Sequence, residues 1–188
     1  MKKLLTLRNI ILCCSFVLAL AVFIMSFLAA FRYVTSGLVT TTDTTYNGIV
    51  WGSTGTKTIV TSGGSSVITE TKFDKPYDAS VMGLIGSLLV FVGAIAAVVV
   101  ALVVKDKKVR RIAMIVAGAV VAVGAIFTFF TVESFYASYA KANNVTVEKV
   151  KESLKDANAQ IHCALPVVMG ILGLISGGGI VVSEFVKK

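Results

Sequence analysis

The chain has 188 residues, of which 56% are hydrophobic and 15% charged, with a formal net charge of +8. A soluble domain carries about 25% charged residues, so an ordinary water-soluble core is excluded. Nucleic-acid binding is also excluded as the meaning of the basic excess, because the bases flank long apolar runs instead of forming a basic face.

Four runs contain no acidic or basic side chain: Ile10–Phe31, Val81–Val104, Ile112–Val132 and Ala164–Val182. Each is close to the roughly 20 residues that a helix needs to cross a hydrocarbon core of about 30 Å. They predict an all-α membrane protein, a four-transmembrane-helix bundle forming a single membrane domain over residues 1–188. The N-terminus (Lys2, Lys3, Arg8), the link 105–111 and the C-terminus (Glu184, Lys187, Lys188) hold ten cations and two acids, the whole net charge. The two long loops, 32–80 and 133–163, hold eight of each sign. The positive-inside bias then places both termini and the link in the cytoplasm and the long loops outside a cell membrane. The same bases attract anionic lipid headgroups.

The first run, 10–31, is too long for the 7–15-residue core of a cleavable signal peptide, so an uncleaved first span is expected. Cys13 and Cys14 lie near its cytoplasmic end. They read as small apolar bundle residues, with acylation as the alternative. Arg32 and Tyr33 would end the span at the outer interface.

The first outer loop turns abruptly to Thr, Ser and Gly. Thr56–Thr61 and Ser66–Phe73 are β-formers separated by Ser62-Gly63-Gly64-Ser65, which predicts a hairpin with a four-residue loop. Such a hairpin needs a third strand or the helix ends for support, and Thr45–Trp51 is the candidate strand. A small extracellular β-hairpin or sheet is therefore expected, and a disordered Ser/Thr stalk is the competing reading.

The second span places Gly93, Ala97 and Ala101 along one face. The third carries Gly118 and Gly124, and the fourth carries Gly173 and Gly177 in a GxxxG spacing. Small residues let helices approach closely in lipid. Gly93, Ala97, Gly118, Gly173 and Gly177 are therefore candidate packing positions, within the bundle first and between copies second. The link 105–111 allows only a tight turn, so spans two and three are antiparallel neighbours. Phe127, Phe129, Phe130, Phe135, Tyr136 and Tyr139 read as an aromatic belt at the outer interface.

The second outer loop reads as a short helix. Thr146 is an N-cap, and Val147, Val150 and Leu154 fall on one face. Glu148 with Lys151 and Glu152 with Lys155 are favourable pairs; Glu148 with Glu152 and Glu152 with Asp156 oppose them. Asn144-Val145-Thr146 matches a glycosylation sequon, a weak signal. Pro166 falls in the first turn of span four, where it is tolerated.

Little in the chain suggests chemistry. His162 adjoins Cys163, but sequence neighbours on a helix do not face each other, and no orienting third group is evident. Metal binding needs three or four ligands in reach. Asp74 and Asp78 flank Lys75 and Pro76 and read as a solvated interface. No catalytic, cofactor or metal site is expected, and no enzyme.

The plan of span, β-rich outer loop, two spans with a short basic link, shorter outer loop and last span resembles the claudin-like tetraspan group. Asn47-Gly48-Ile49-Val50-Trp51-Gly52 looks like that group's Gly-Leu-Trp element, while its paired loop cysteines are absent. The resemblance implies adhesion, barrier formation or an accessory role. The expected function is interaction with another membrane protein or with a second copy, with membrane lipids as surroundings and no nucleic acid. Trp51 and Tyr46 are the candidate contact residues, since such aromatic residues are enriched at binding hot spots. The alternative is a small oligomeric channel or transporter.

Overall fold

A computed structural model of the chain describes residues 6–53, 55–72, 78–153 and 159–186, the last group without the side chains of 159–161. Its element order is α1 (Leu7–Leu28), β1 (Ala30–Ser36), β2 (Thr40–Asn47), β3 (Gly55–Ser62), β4 (Ser65–Lys72), α2 (Val81–Val103), α3 (Lys107–Phe129), α4 (Thr131–Ala142), α5 (Val147–Ser153), β5 (Ala159–His162) and α6 (Ala164–Ser183). α1, α2, α3 and α6 are long and apolar enough to cross a membrane. The chain divides into two compact units. One is Met1–Met25, Ile85–Phe129 and Val167–Lys188; the other is Ser26–Leu84 and Phe130–Pro166.

The first unit is helical, and its packing follows from residue size. The buried positions of α3 are Met114, Ala117, Gly118, Val121, Gly124, Ala125 and Thr128, a stripe at helical period. Two pairs of glycines bring backbones together there. A Cβ on Gly86 would lie 2.7 Å from the Gly124 carbonyl oxygen, and one on Gly124 equally close to that of Gly86. Gly118 and Gly177 do the same between α3 and α6, at 2.9 and 2.8 Å. Ser176 Oγ donates 2.7 Å to the Ser15 carbonyl, joining α6 to α1, and Phe23 stacks on Phe91 at 4.4 Å, joining α1 to α2. The outward faces carry the large apolar side chains, such as Val92, Leu102, Ile112, Val116 and Ile175.

The second unit is a five-stranded antiparallel sheet in the order β4-β3-β2-β1-β5, with α4 and α5. β4 and β3 form the expected hairpin, but Ser62 pairs with Ser65, so only Gly63 and Gly64 make the turn. Their φ angles of +56° and +85° are those of the two-residue turn whose twist matches the strands. β2 lies earlier than the candidate strand Thr45–Trp51: the run Thr40–Asn47 pairs with β1 and β3, and Gly48, at φ +71°, ends it. Trp51 lies in the following turn, its N–H donating to the Gly48 carbonyl at 3.0 Å.

Other boundaries differ for identifiable reasons. α1 stops at Leu28, three residues before the apolar run ends, because Ala30–Ser36 becomes β1, with β2 on one side and β5 on the other. Arg32 and Tyr33 are therefore strand residues. α3 begins at Lys107, well inside the expected link, because Asp106 caps it: Asp106 Oδ1 accepts from the N–H groups of Lys108 (2.8 Å) and Val109 (3.0 Å). Thr146 caps α5 through the Lys149 N–H at 3.3 Å. Lys151 pairs with Glu133 at 2.6 Å, a choice across elements that i,i+3 spacing could not show. Leu154, Lys155 and Asp156, and Phe73 with Asp74 through Tyr77, lie outside the described residues.

Candidate functional site

An aromatic recess lies within the second unit. Phe31 on β1 and Tyr46 on β2 are cross-strand partners in the register, so their side chains emerge on the same face. α4 offers Phe135 and Tyr139 one turn apart, with Tyr136 beside them. The rings meet edge-on or tilted: Phe31 to Phe135 at 5.0 Å, Tyr46 to Phe135 at 5.5 Å and Tyr46 to Tyr139 at 5.9 Å, within the range such pairs prefer. They line a cavity of about 200 Å³ that Tyr33, Tyr136, Val150 and Ser153 complete. Phe135 and Tyr136 are 2% and 8% exposed, so these two belong to the recess and not to a lipid-facing belt.

The electrostatics of the recess favour neutral groups. Burial, followed by the nearby Cys163 and Glu133, raises the Tyr136 phenol above its ordinary value. Burial pushes the Cys163 thiol up to about 11, and its Sγ donates to the Ala30 carbonyl at 3.6 Å. A thiol held protonated is a poor nucleophile. Lys151 Nζ lies 6.0 Å from the Tyr136 ring centroid, in cation–π range. The site thus offers ring faces, phenol hydroxyls and one cation at its rim, chemistry suited to recognition.

Trp51 does not line this recess. Its ring stacks on Phe27 at 4.8 Å and 6°, its Nε1–H donates to Ser26 Oγ at 2.9 Å, and 37% of it is exposed. Tyr46 is a wall of the recess. His162 is exposed and pairs with Arg32 in the β1–β5 register. Among the small residues, an added Cβ would meet Val121 at Gly93, Gly177 at Gly118, Ala125 at Gly173 and Gly118 at Gly177, and Ala97 is fully buried. Among the described residues, no group of three or more His, Cys, Asp or Glu gathers in metal-binding geometry.

The outer strand of the sheet is the other distinctive surface. All eight residues of β4 are exposed, including Val67 at 64% and Ile68 at 59%. Leu38 and Val39, at the β1–β2 turn, are also exposed. Arg32 and Asp43 form a forked pair on the neighbouring strands, Nε to Oδ1 at 2.9 Å, which raises the arginine pKa.

No protein-family model matches the chain, and no curated protein is significantly similar to it.

Proposed function

We propose that this is a multi-pass membrane protein that acts through protein–protein contacts, as an adhesion element, an organiser or an accessory subunit of a larger membrane complex. The contact surface is the sheet unit, led by the β3–β4 hairpin, on the outer side of the membrane; the basic chain ends lie on the cytoplasmic side, as the charge bias requires. One observation carries the reading. β4 leaves every residue exposed, with Val67 and Ile68 among them, and among the described strands it pairs on one side only. A sheet edge of this kind is a template for strand addition. Aromatic and aliphatic side chains of the partner would fill the recess in the same unit.

The test is photo-crosslinking in native membranes from a reactive residue placed at position 68, read by mass spectrometry. A discrete heterologous product, lost on Val67→Glu, is the expected result. Products joining only copies of the chain would replace a partner with a homo-oligomer, and ion flux through liposomes holding the purified protein would then favour the channel alternative. An absence of any product would overturn the hairpin as the contact surface. Position 68 is a sharper choice than 51, because the Trp51 ring is held by Phe27 and Ser26.

A further inference from the structure

The helical unit carries a charged cluster at the end where α1 and α3 begin and α6 finishes. Glu184 is 4% exposed in its side chain and lies between two arginines, with Oε1 2.8 Å from Arg8 Nη2 and Oε2 3.2 Å from Arg110 Nε. Two guanidinium groups on one carboxylate leave a positive charge over. Lys107, Lys108 and Arg111 line the same open cavity of about 600 Å³. Arg111 lies 5.2 Å from the Phe185 ring centroid, which holds its guanidinium there. Among the described residues the lining therefore has five cations to one carboxylate. Asp106, close by in sequence, is engaged in capping α3.

Two buried atoms of the cluster lack a hydrogen-bond partner among the described residues: the Arg8 Nε–H donor and the Glu184 Oε1 acceptor, whose approach to Arg8 Nη2 is an ion pair without hydrogen-bond geometry. Arg8 is only 8% exposed, and a buried donor of this kind is costly unless a ligand or water completes it. The ligand that suits a fork of guanidinium donors ringed by lysines is a tetrahedral oxyanion, since phosphate oxygens match Arg bidentately and Lys as a point charge.

We propose that this pocket binds a phosphoryl group, with Arg8 and Arg111 as the directional donors and Lys107 and Lys108 as the surrounding charge. A lipid headgroup and free phosphate share this chemistry. The lipid source has added support from the fold. Ile112 lines the pocket, and Val116, on the same helix face one turn later, lines an apolar groove of about 320 Å³ between α2 and α3. An anionic phospholipid would place its headgroup among the cations and an acyl chain along that groove. The choline of a zwitterionic lipid would instead meet like charge.

The experiment uses the full-length chain in a non-ionic detergent. Native mass spectrometry reads retention of dioleoyl phosphatidylglycerol against dioleoyl phosphatidylcholine, and calorimetry reads inorganic phosphate. The expected result is one phosphatidylglycerol per chain, retained about tenfold or more over phosphatidylcholine, with roughly tenfold weaker retention in K107Q/K108Q. Both lysines are exposed and stand outside the Arg8–Glu184–Arg110 cluster, so that variant keeps the fold. R8K, which preserves the ion pair's charge but removes the buried Nε donor, is expected to weaken retention similarly. Phosphate binding that is lost in K107Q/K108Q, with no lipid retained, would assign the same site to a soluble phosphoryl compound. Equal retention of the two lipids, equal retention by wild type and K107Q/K108Q, or no binding of lipid or phosphate would overturn the proposal.

Discussion

The two units differ in what they bury and what they leave exposed. In the helical unit Leu102 is 80% exposed while Ser87, Thr128 and Ser176 are fully buried; in the sheet unit Phe31, Ile49, Val50 and Phe135 are each at most 4% exposed and the strands present mainly Thr and Ser. Although Val67 and Ile68 on β4 and Leu38 and Val39 at the β1–β2 turn are exposed, the sheet unit withdraws these four core side chains, Phe31, Ile49, Val50 and Phe135, from solvent, as a water-soluble protein does. The helical unit leaves many large apolar side chains outside and buries hydroxyls alongside Met114, Met169 and Ile180, an arrangement suited to hydrocarbon surroundings. Cohesion differs for the same reason. Lipid tails are as apolar as leucine, so helices gain little by hiding leucine from them and associate through close contact of small residues. In the sheet unit, rings and aliphatic groups gain by leaving water.

The largest effect that would break this contrast is expected at Glu184, an acid buried in the helical unit. Glu184→Ala would leave the buried Arg8 without its counter-ion, at a cost of about 3–5 kcal/mol. A fall in the thermal midpoint in detergent would show it, and an unchanged midpoint would mean that the cluster is hydrated and contributes little.

Cys163 tests how dry the sheet unit's interior is. Burial raises its pKa from 9.0 to about 11. The raised value favours the neutral thiol, so at pH 8 its thiolate fraction, and with it the alkylation rate, should be about a hundredfold below that of an unperturbed thiol. The rate should keep rising with pH through about 10. Fast labelling of the folded protein at pH 8, with a plateau near the ordinary thiol value, would show the thiol to be solvated.

Glycine packing is tested by two substitutions with different expected outcomes. Gly124→Ala would set a Cβ 2.7 Å from the Gly86 carbonyl oxygen and 2.9 Å from the Val90 nitrogen. Backbone cannot rotate aside, so a loss of about 1–3 kcal/mol is expected. A Cβ at Gly178, on α6, would have nothing within 4 Å, so Gly178→Ala should be neutral or stabilising by less than about 1 kcal/mol. Equal effects on the thermal midpoint would refute the close-approach account.

The smallest loss among the destabilising changes is expected at Trp51→Phe. The ring stack on Phe27 can persist, whereas the hydrogen bond to Ser26 is lost, at about 1 kcal/mol. A loss above about 3 kcal/mol, beyond what one neutral hydrogen bond contributes, would mark Trp51 as a main support of its unit.

The apolar runs are legible because a helix in lipid needs only a length and an absence of charge. α2 and α6 end within a residue of the runs 81–104 and 164–182. The β3–β4 hairpin is legible because its strands are β-branched and its turn is Gly-Gly. The Asp106 cap is also written in the chain, but the bases on either side of it mask the signal by reading as a link. β1 and β5 are not legible. Ala30 and Phe31 read as the end of an apolar run, and Ala30–Ser36 becomes a strand only because β2 and β5 flank it.

The recess and the charged cluster lie further from what a sequence can show. Phe31, Tyr46 and Phe135 are far apart in the chain, and pattern alone makes the last of them a belt residue. Arg8, Arg110 and Glu184 look like topology signals at three chain positions. By itself the sequence determined which segments could live in hydrocarbon and which needed water, since that is a property of each segment's own side chains. Only the tertiary structure decided which rings share a cavity and which arginines share a carboxylate, because those contacts depend on strand register and helix facing, which are settled between segments and not within them.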